Sequence, residues 1–367
     1  MPSLPRKLMG ALAALLAPGL LAGCAAGPPL VHVGKTRAPI DDPAHEEETD
    51  SSTPPEPSPA SGASDGSPPP DDVVHQAALP FRGVRGADGA LLAQEALLSE
   101  LARADAICIG ERHGDAHDHF AQLATILGLA ERQRVAAFEL GVGFEMFQRP
   151  WQHALDAFGE GRVGLDDLVR ASQYEKRWGL PIQFYAPQLE AARGARADLI
   201  ALNASSELTK AIAKDGIPNL SVDLRRELPR LDLTSAAHRA LFEGLMRGHP
   251  EGDLDRMYTA QVTWDETMAE RAAEWLAARA PLRKLVILAG RAHCARPAIP
   301  ERIERRGAFR VLSVLPEVVS VQAPPPEEPS EPQARELPDA VAPAPEGDPI
   351  AAELAAAYDY RFILYAP

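Results

Sequence analysis

The chain has 367 residues, 46% hydrophobic and 24% charged, with 35 prolines against 5% aromatics and a formal net charge of −15. That composition supports a sizeable core diluted by segments that do not pack, and it excludes a nucleic-acid binder with a broad basic face. Three cysteines exclude a disulfide framework and a four-cysteine zinc module.

Residues 1–23 open with Arg6 and Lys7 ahead of an apolar stretch, Leu8 to Leu21, broken by Pro18 and Gly19. The stretch is too short and too punctuated to span a membrane, and reads as a signal peptide. It closes on Leu21-Ala22-Gly23-Cys24, which resembles a bacterial lipobox. Cleavage before Cys24 would leave that cysteine as a lipid-bearing N-terminus. Acyl chains such as palmitate contribute about 0.8 kcal/mol per buried CH₂, so several make a stable membrane anchor. Ala25, rather than an aspartate, implies sorting to the outer membrane of a bacterial envelope.

Residues 24–79 read as a disordered, acidic, Pro/Ser-rich tether, with ten Asp or Glu and no Lys or Arg between Asp41 and Asp72. Residues 323–349 hold nine prolines and seven acids and read as a disordered insertion. These two segments carry the acidic excess and leave the remainder close to neutral. Residues 80–322 with 350–367 then form one α/β domain.

Within it the spacing predicts a helix over 90–102, a buried strand over 105–109 ending at Gly110, and a helix over 117–131 with Phe120, Leu123, Leu127 and Ala130 on one face. A strand over 135–140 and helices near 145–158 and 163–171 follow. Next come a strand over 197–202 and a largely helical stretch over 205–280, interrupted by Pro218, Pro229 and Pro250. Strands over 284–288 and 309–315, and a closing strand over 358–365, complete the domain. The alternation predicts a mainly parallel central sheet flanked by helices on both faces, with a smaller helical subdomain.

Ligands in such sheets sit beyond the carboxyl ends of the strands. Two strands here end in G-x-x-H. The first is Gly110-Glu111-Arg112-His113, followed by Asp115, His117 and His119; the second is Gly290-Arg291-Ala292-His293, followed by Cys294. Glu145 is a third strand-end candidate, with Glu139 as its rival. Glu111, His113, Glu145 and His293 suit a divalent metal centre, an acid–base pair around a water, or a hydrogen-bonded network bracing the turns. His119 is expected to point inward and His117 to cap a helix or face solvent. His153, His238 and His249 read as surface residues, and His32, His45 and His75 fall in the tether. Cys108 reads as a small buried hydrophobe and Cys294 as a soft ligand or bystander; a Cys108–Cys294 disulfide is the alternative that an oxidising compartment allows. On the helix near 256, Tyr258, Gln261, Asp265 and Met268 share one face that suits either core packing or a pocket wall.

The phrases GERH…H at 110–119, EMFQRPWQ at 145–152, FYAPQLEAAR at 184–193, ALN at 201–203, YTAQVTWDETMA at 258–269, AGRAH at 289–293 and AIPERI at 298–303 resemble the ChaN-type haem-binding lipoproteins of the Tiki superfamily. The resemblance runs over roughly residues 80–320, although this chain has GRAH where the family often has GNGH. It implies a surface lipoprotein that binds haem for iron or haem uptake without catalysis. Haem would be held through a tyrosine, Tyr258 first and then Tyr185 or Tyr174, with two haems stacked between protomers in a haem-dependent homodimer. An outer-membrane haem receptor is the implied partner. Arg112, Arg149 and Arg291 would pair with propionates, and His119, Gln261, Asp265 and Met268 would line the pocket. The superfamily also implies an alternative, a metal-dependent hydrolase or protease using Glu111, His113 and His293. A third reading is an envelope interaction module with structural polar residues.

Overall fold

Buried apolar strands alternating with amphipathic helices build one eight-stranded sheet in a computed structural model of the chain, which describes residues 80–247, 253–320 and 354–366. The signal peptide, the tether and the insertion at 323–349 lie outside the described residues, as do Cys24 and His249.

The strands are β1 (Phe81–Arg85), β2 (Leu91–Ala93), β3 (Ala106–Glu111), β4 (Glu139–Gln148), β5 (Asp198–Asn203), β6 (Arg283–Gly290), β7 (Val311–Ser320) and β8 (Tyr360–Ala366). Their order across the sheet is β2-β1-β8-β7-β3-β6-β4-β5. The run from β8 to β5 is parallel, and the hairpin β1–β2 adds an antiparallel edge beside β8. The first helices are α1 (Gln94–Leu101), α2 (Ala116–Gln133), α3 (Gln152–Gly159), α4 (Leu165–Ala171), α5 (Tyr174–Arg177) and α6 (Ala186–Gly194). The helical part between β5 and β6 holds α7 (Ser206–Asp215), α8 (Val222–Glu227), α9 (Ala236–Leu245) and α10 (Leu254–Ala277). Two short helices, α11 (Arg291–Cys294) and α12 (Ile299–Glu304), follow β6.

The period-2 alternation of strand side chains feeds two cores. Ile107, Ile109, Val142, Phe144, Val286 and Leu288 pack into one layer. Ala106, Cys108, Leu285, Ile287 and Ala289 pack into the other, under α10. Two boundaries differ from the sequence pattern. The start of the expected 90–102 helix is instead the hairpin strand β2, which pairs with β1. The strand expected at 135–140 starts at Glu139 and runs on to Gln148, so Glu145 sits on a strand and not on a helix. Val135 is 90% exposed. The closing strand is found, in the interior of the sheet between β7 and β1.

Candidate functional site

Register brings the two G-x-x-H turns side by side. β3 and β6 are adjacent and parallel, with Gly110 opposite Ala289 and Glu111 opposite Gly290. On the other flank of β6, Phe144 of β4 pairs with Leu288, which sets Glu145 beside the same strand end. Three neighbouring carboxyl ends therefore deliver Glu111, His113, Glu145 and His293 to one place. Both turn glycines are closely approached. A methyl at Gly110 would lie 2.5 Å from Tyr358 Oη, and one at Gly290 would lie 3.0 Å from His113 Cε1 and 3.6 Å from Glu145 Oε2.

Each histidine is backed by a buried carboxylate. His113 Nδ1 lies 2.7 Å from Glu111 Oε1, which also accepts from Tyr185 Oη at 2.6 Å. The other Glu111 oxygen accepts from Gln122 Nε2 at 2.6 Å. His293 Nδ1 lies 2.6 Å from Asp265 Oδ1, and its Nε2 is 3.4 Å from Glu145 Oε1. Glu145 Oε2 accepts the Gly290 N–H at 2.6 Å. For His113, burial disfavours the charge, but the Glu111 hydrogen bond and the nearby Glu145 outweigh it and raise the ring above its ordinary value. For His293 the same contest, won by Glu145 and Asp265, carries it to about 9.

His113, Glu145 and His293 open on a crevice of about 460 Å³ whose walls include Trp178, Trp264 and Lys210. That volume is within the range of small-molecule sites. A larger groove of about 790 Å³, along Leu127, Arg134 and Ala191, carries no histidine.

Several expected site residues lie elsewhere. All six tyrosines are buried. Tyr258 faces His238, 3.2 Å away, and not the crevice. Tyr185 is spent on Glu111, and Tyr174 is enclosed in the core beside Phe147. The three motif arginines are tied to acids. Arg112 and Arg291 converge on the buried Asp118, with Arg112 Nη2 at 2.9 Å and Arg291 Nη2 at 3.3 Å, so they brace the two turns to α2. Arg149 pairs with Glu270 at 3.0 Å. Met268 is fully buried in the core. His119 does point inward, stacked on Phe184 with Nε2 donating to the His113 carbonyl at 3.0 Å. Gln261 and Asp265 both reach His293. Glu139 sits at the opposite end of β4, paired with Arg279 and Arg283.

The metal centre expected from Glu111, His113, Glu145 and His293 is not formed. Among the described residues no group of three or more His, Cys, Asp or Glu side chains could hold an ion. The reason is local: Glu111 already accepts three hydrogen bonds, and Glu145 and His293 are turned to Gly290 and Asp265.

One feature escaped the sequence pattern, and one alternative left open by it is realised. His238, expected at the surface, is buried and donates to Asp265. Its place on α9 with Leu241 and Phe242, three and four residues on, is the helical spacing that marks an inward face. Cys108 and Cys294 form a disulfide, tying β3 to the helix that carries His293.

A family described as haem-binding uptake, Tiki superfamily, ChaN, matches residues 97–303. The chain is similar in structure to ChaN of Campylobacter jejuni, described with cofacial haem binding, at 18% identity and a TM-score of 0.57 over 78% of this chain and 97% of that one. It is more distantly similar to RRSP, a MARTX toxin effector domain from Vibrio vulnificus, at 18% identity, 60% and 36% coverage and a TM-score of 0.34. For the erythromycin esterase EreC the values are 14%, 66% and 78%, and 0.40. No curated protein sequence matches.

Proposed function

Because the chain belongs to the ChaN haem-binding-uptake family of the Tiki superfamily, we propose that its crevice holds haem and that an imidazole, not a phenolate, meets the iron. The observation that carries this reading is the contrast between His113 and the tyrosines. The His113 side chain is 39% exposed and lines the crevice, while its Nδ1 is committed to Glu111. A carboxylate behind a histidine fixes its tautomer and raises its basicity as a ligand. The tyrosines are enclosed, and burial holds the phenols of Tyr174, Tyr185 and Tyr258 above their ordinary values, in the neutral form. Haem, when bound, supplies iron as cargo. Lys210 on the crevice wall suits a propionate, in place of the arginines engaged elsewhere.

Hemin titration of the protein should give a Soret band that His113→Ala abolishes and Tyr258→Phe leaves intact. The opposite pattern would return the iron to a tyrosine. Light scattering during the same titration reads the proposed haem-dependent dimer as a doubling of mass.

The lipobox supports a lipid anchor on Cys24 at the outer membrane, where a haem receptor is the fitting partner. The disulfide is in keeping with an exported protein. Cys24→Ala should move the protein from the membrane to the soluble fraction of fractionated cells.

A second reading, hydrolysis without metal, is favoured by the two carboxylate-backed histidines on one crevice. His113 with Glu111 has the makings of a general base, and His293 with Asp265 of a general acid. Ester hydrolysis by hemin-free protein, lost in both His113→Ala and His293→Ala, would be its mark.

A further inference from the structure

Behind His293 the polar contacts continue into the protein. Asp265 is fully buried, and its second oxygen, Oδ2, lies 2.8 Å from His238 Nε2. His238 is itself 1% exposed. On its far side, Nδ1 is 3.2 Å from Arg302 Nη2 and 3.2 Å from Tyr258 Oη. A guanidinium has no acceptor, so His238 Nδ1 must be the bare, accepting nitrogen. Its ring proton is then on Nε2, aimed at Asp265. Arg302 is buried in turn and held by Glu266 at 3.2 Å and by the carbonyls of Pro297 and Ala298. The line of contacts ends at the His293 ring.

We propose that His238 is a positioning residue of the crevice, clamping the Asp265 carboxylate so that His293 presents its Nε2 edge to whatever occupies the crevice. This rests on the crevice being the functional site. Arg302 sets the tautomer of His238, Tyr258 packs beside the same nitrogen, and His238 sets the orientation of Asp265. With one oxygen held by His238, the Asp265 carboxylate cannot rotate away from His293 Nδ1. Tyr258, expected as an iron ligand, serves here as part of the buried support. The support spans α9, α10 and α12, none of which bears a G-x-x-H turn.

Nitrogen-15 NMR of the full-length, histidine-labelled protein without hemin tests the proposal. In the wild type, His238 should show an unprotonated Nδ1 and a protonated Nε2; a protonated Nδ1 would overturn the argument without any variant being made. The Nδ1 proton of His293, assigned by its disappearance in His293→Gln, should resonate at low field because of the short contact to Asp265. In His238→Gln, whose amide nitrogen reaches the place of Nε2, that resonance should stay. In His238→Asn, whose amide nitrogen falls at the place of Nδ1, and in His238→Leu it should shift upfield or vanish. An unchanged His293 signal in a folded Asn or Leu variant defeats the proposal. Because hemin is absent, a failed relay is distinguishable from a failed haem reading: the first alters these spectra, the second only the Soret titration.

Discussion

Raising the pH from 6.5 through about 9 is expected to remove about 3 kcal/mol of folding stability through His293 alone. Burial opposes the charge on this ring, but Glu145 and Asp265 outweigh it, so the folded protein binds the proton more tightly than the unfolded chain. A raised value in the native state means that the stabilisation is complete below 6.5 and is lost as the pH climbs through about 9. Asp265 registers the same pairing from the other side. Burial pushes its carboxyl up, but His293 and His238 outweigh that and hold it far below the usual range, so the two effects are one interaction and are not added. His113 is raised as well and acts in the same sense. Urea unfolding of the wild type and of His293→Gln at both ends of this window provides the check. The variant should be the less stable protein at the lower pH and should show a much flatter dependence. Parallel pH profiles for the two would mean that the ring is neutral in the folded state.

Loss of the Cys108–Cys294 bridge should cost about 2–5 kcal/mol, since it closes a loop between residues 186 positions apart and so restrains the unfolded chain. Both sulfurs belong to fully buried residues, so Cys108→Ala with Cys294→Ala replaces the bridge with small apolar groups. Thermal unfolding of the double variant beside the wild type, each without reductant, measures the difference. The bridge also fastens the strand that ends in Glu111 to the helix that carries His293. The double variant should therefore bind hemin more weakly than its lower stability alone explains. Equal melting temperatures would show that the bridge contributes nothing in the native protein.

The strand ends were legible in the sequence because an apolar run, a glycine and a histidine fall within a few residues of each other. That local signal located Glu111, His113 and His293, and the parallel sheet then accounts for their meeting. What local pattern cannot carry is the destination of a polar side chain. Arg112, Arg149 and Arg291 look available for an anion, but Asp118 and Glu270 take them up. Tyr258 leads the most distinctive motif, and its side chain meets His238 of α9 rather than the crevice. His238 has no motif at all; only its spacing to Leu241 and Phe242 marks it. The β4 boundary slipped because Gly141 and Gly143 interrupt the apolar run on which strand recognition depends. The hairpin β1–β2 is too short to assert a period.

The position of β8 has a consequence for the order of events in biosynthesis. It lies inside the sheet, yet the ribosome makes it after every strand it joins. Until it emerges, β1 and β7 each lack a neighbour, and an open strand edge invites pairing with other chains. The sheet therefore cannot close until its last strand in chain order has been made. In that interval the two unpaired edges are the places where a chaperone would have to act.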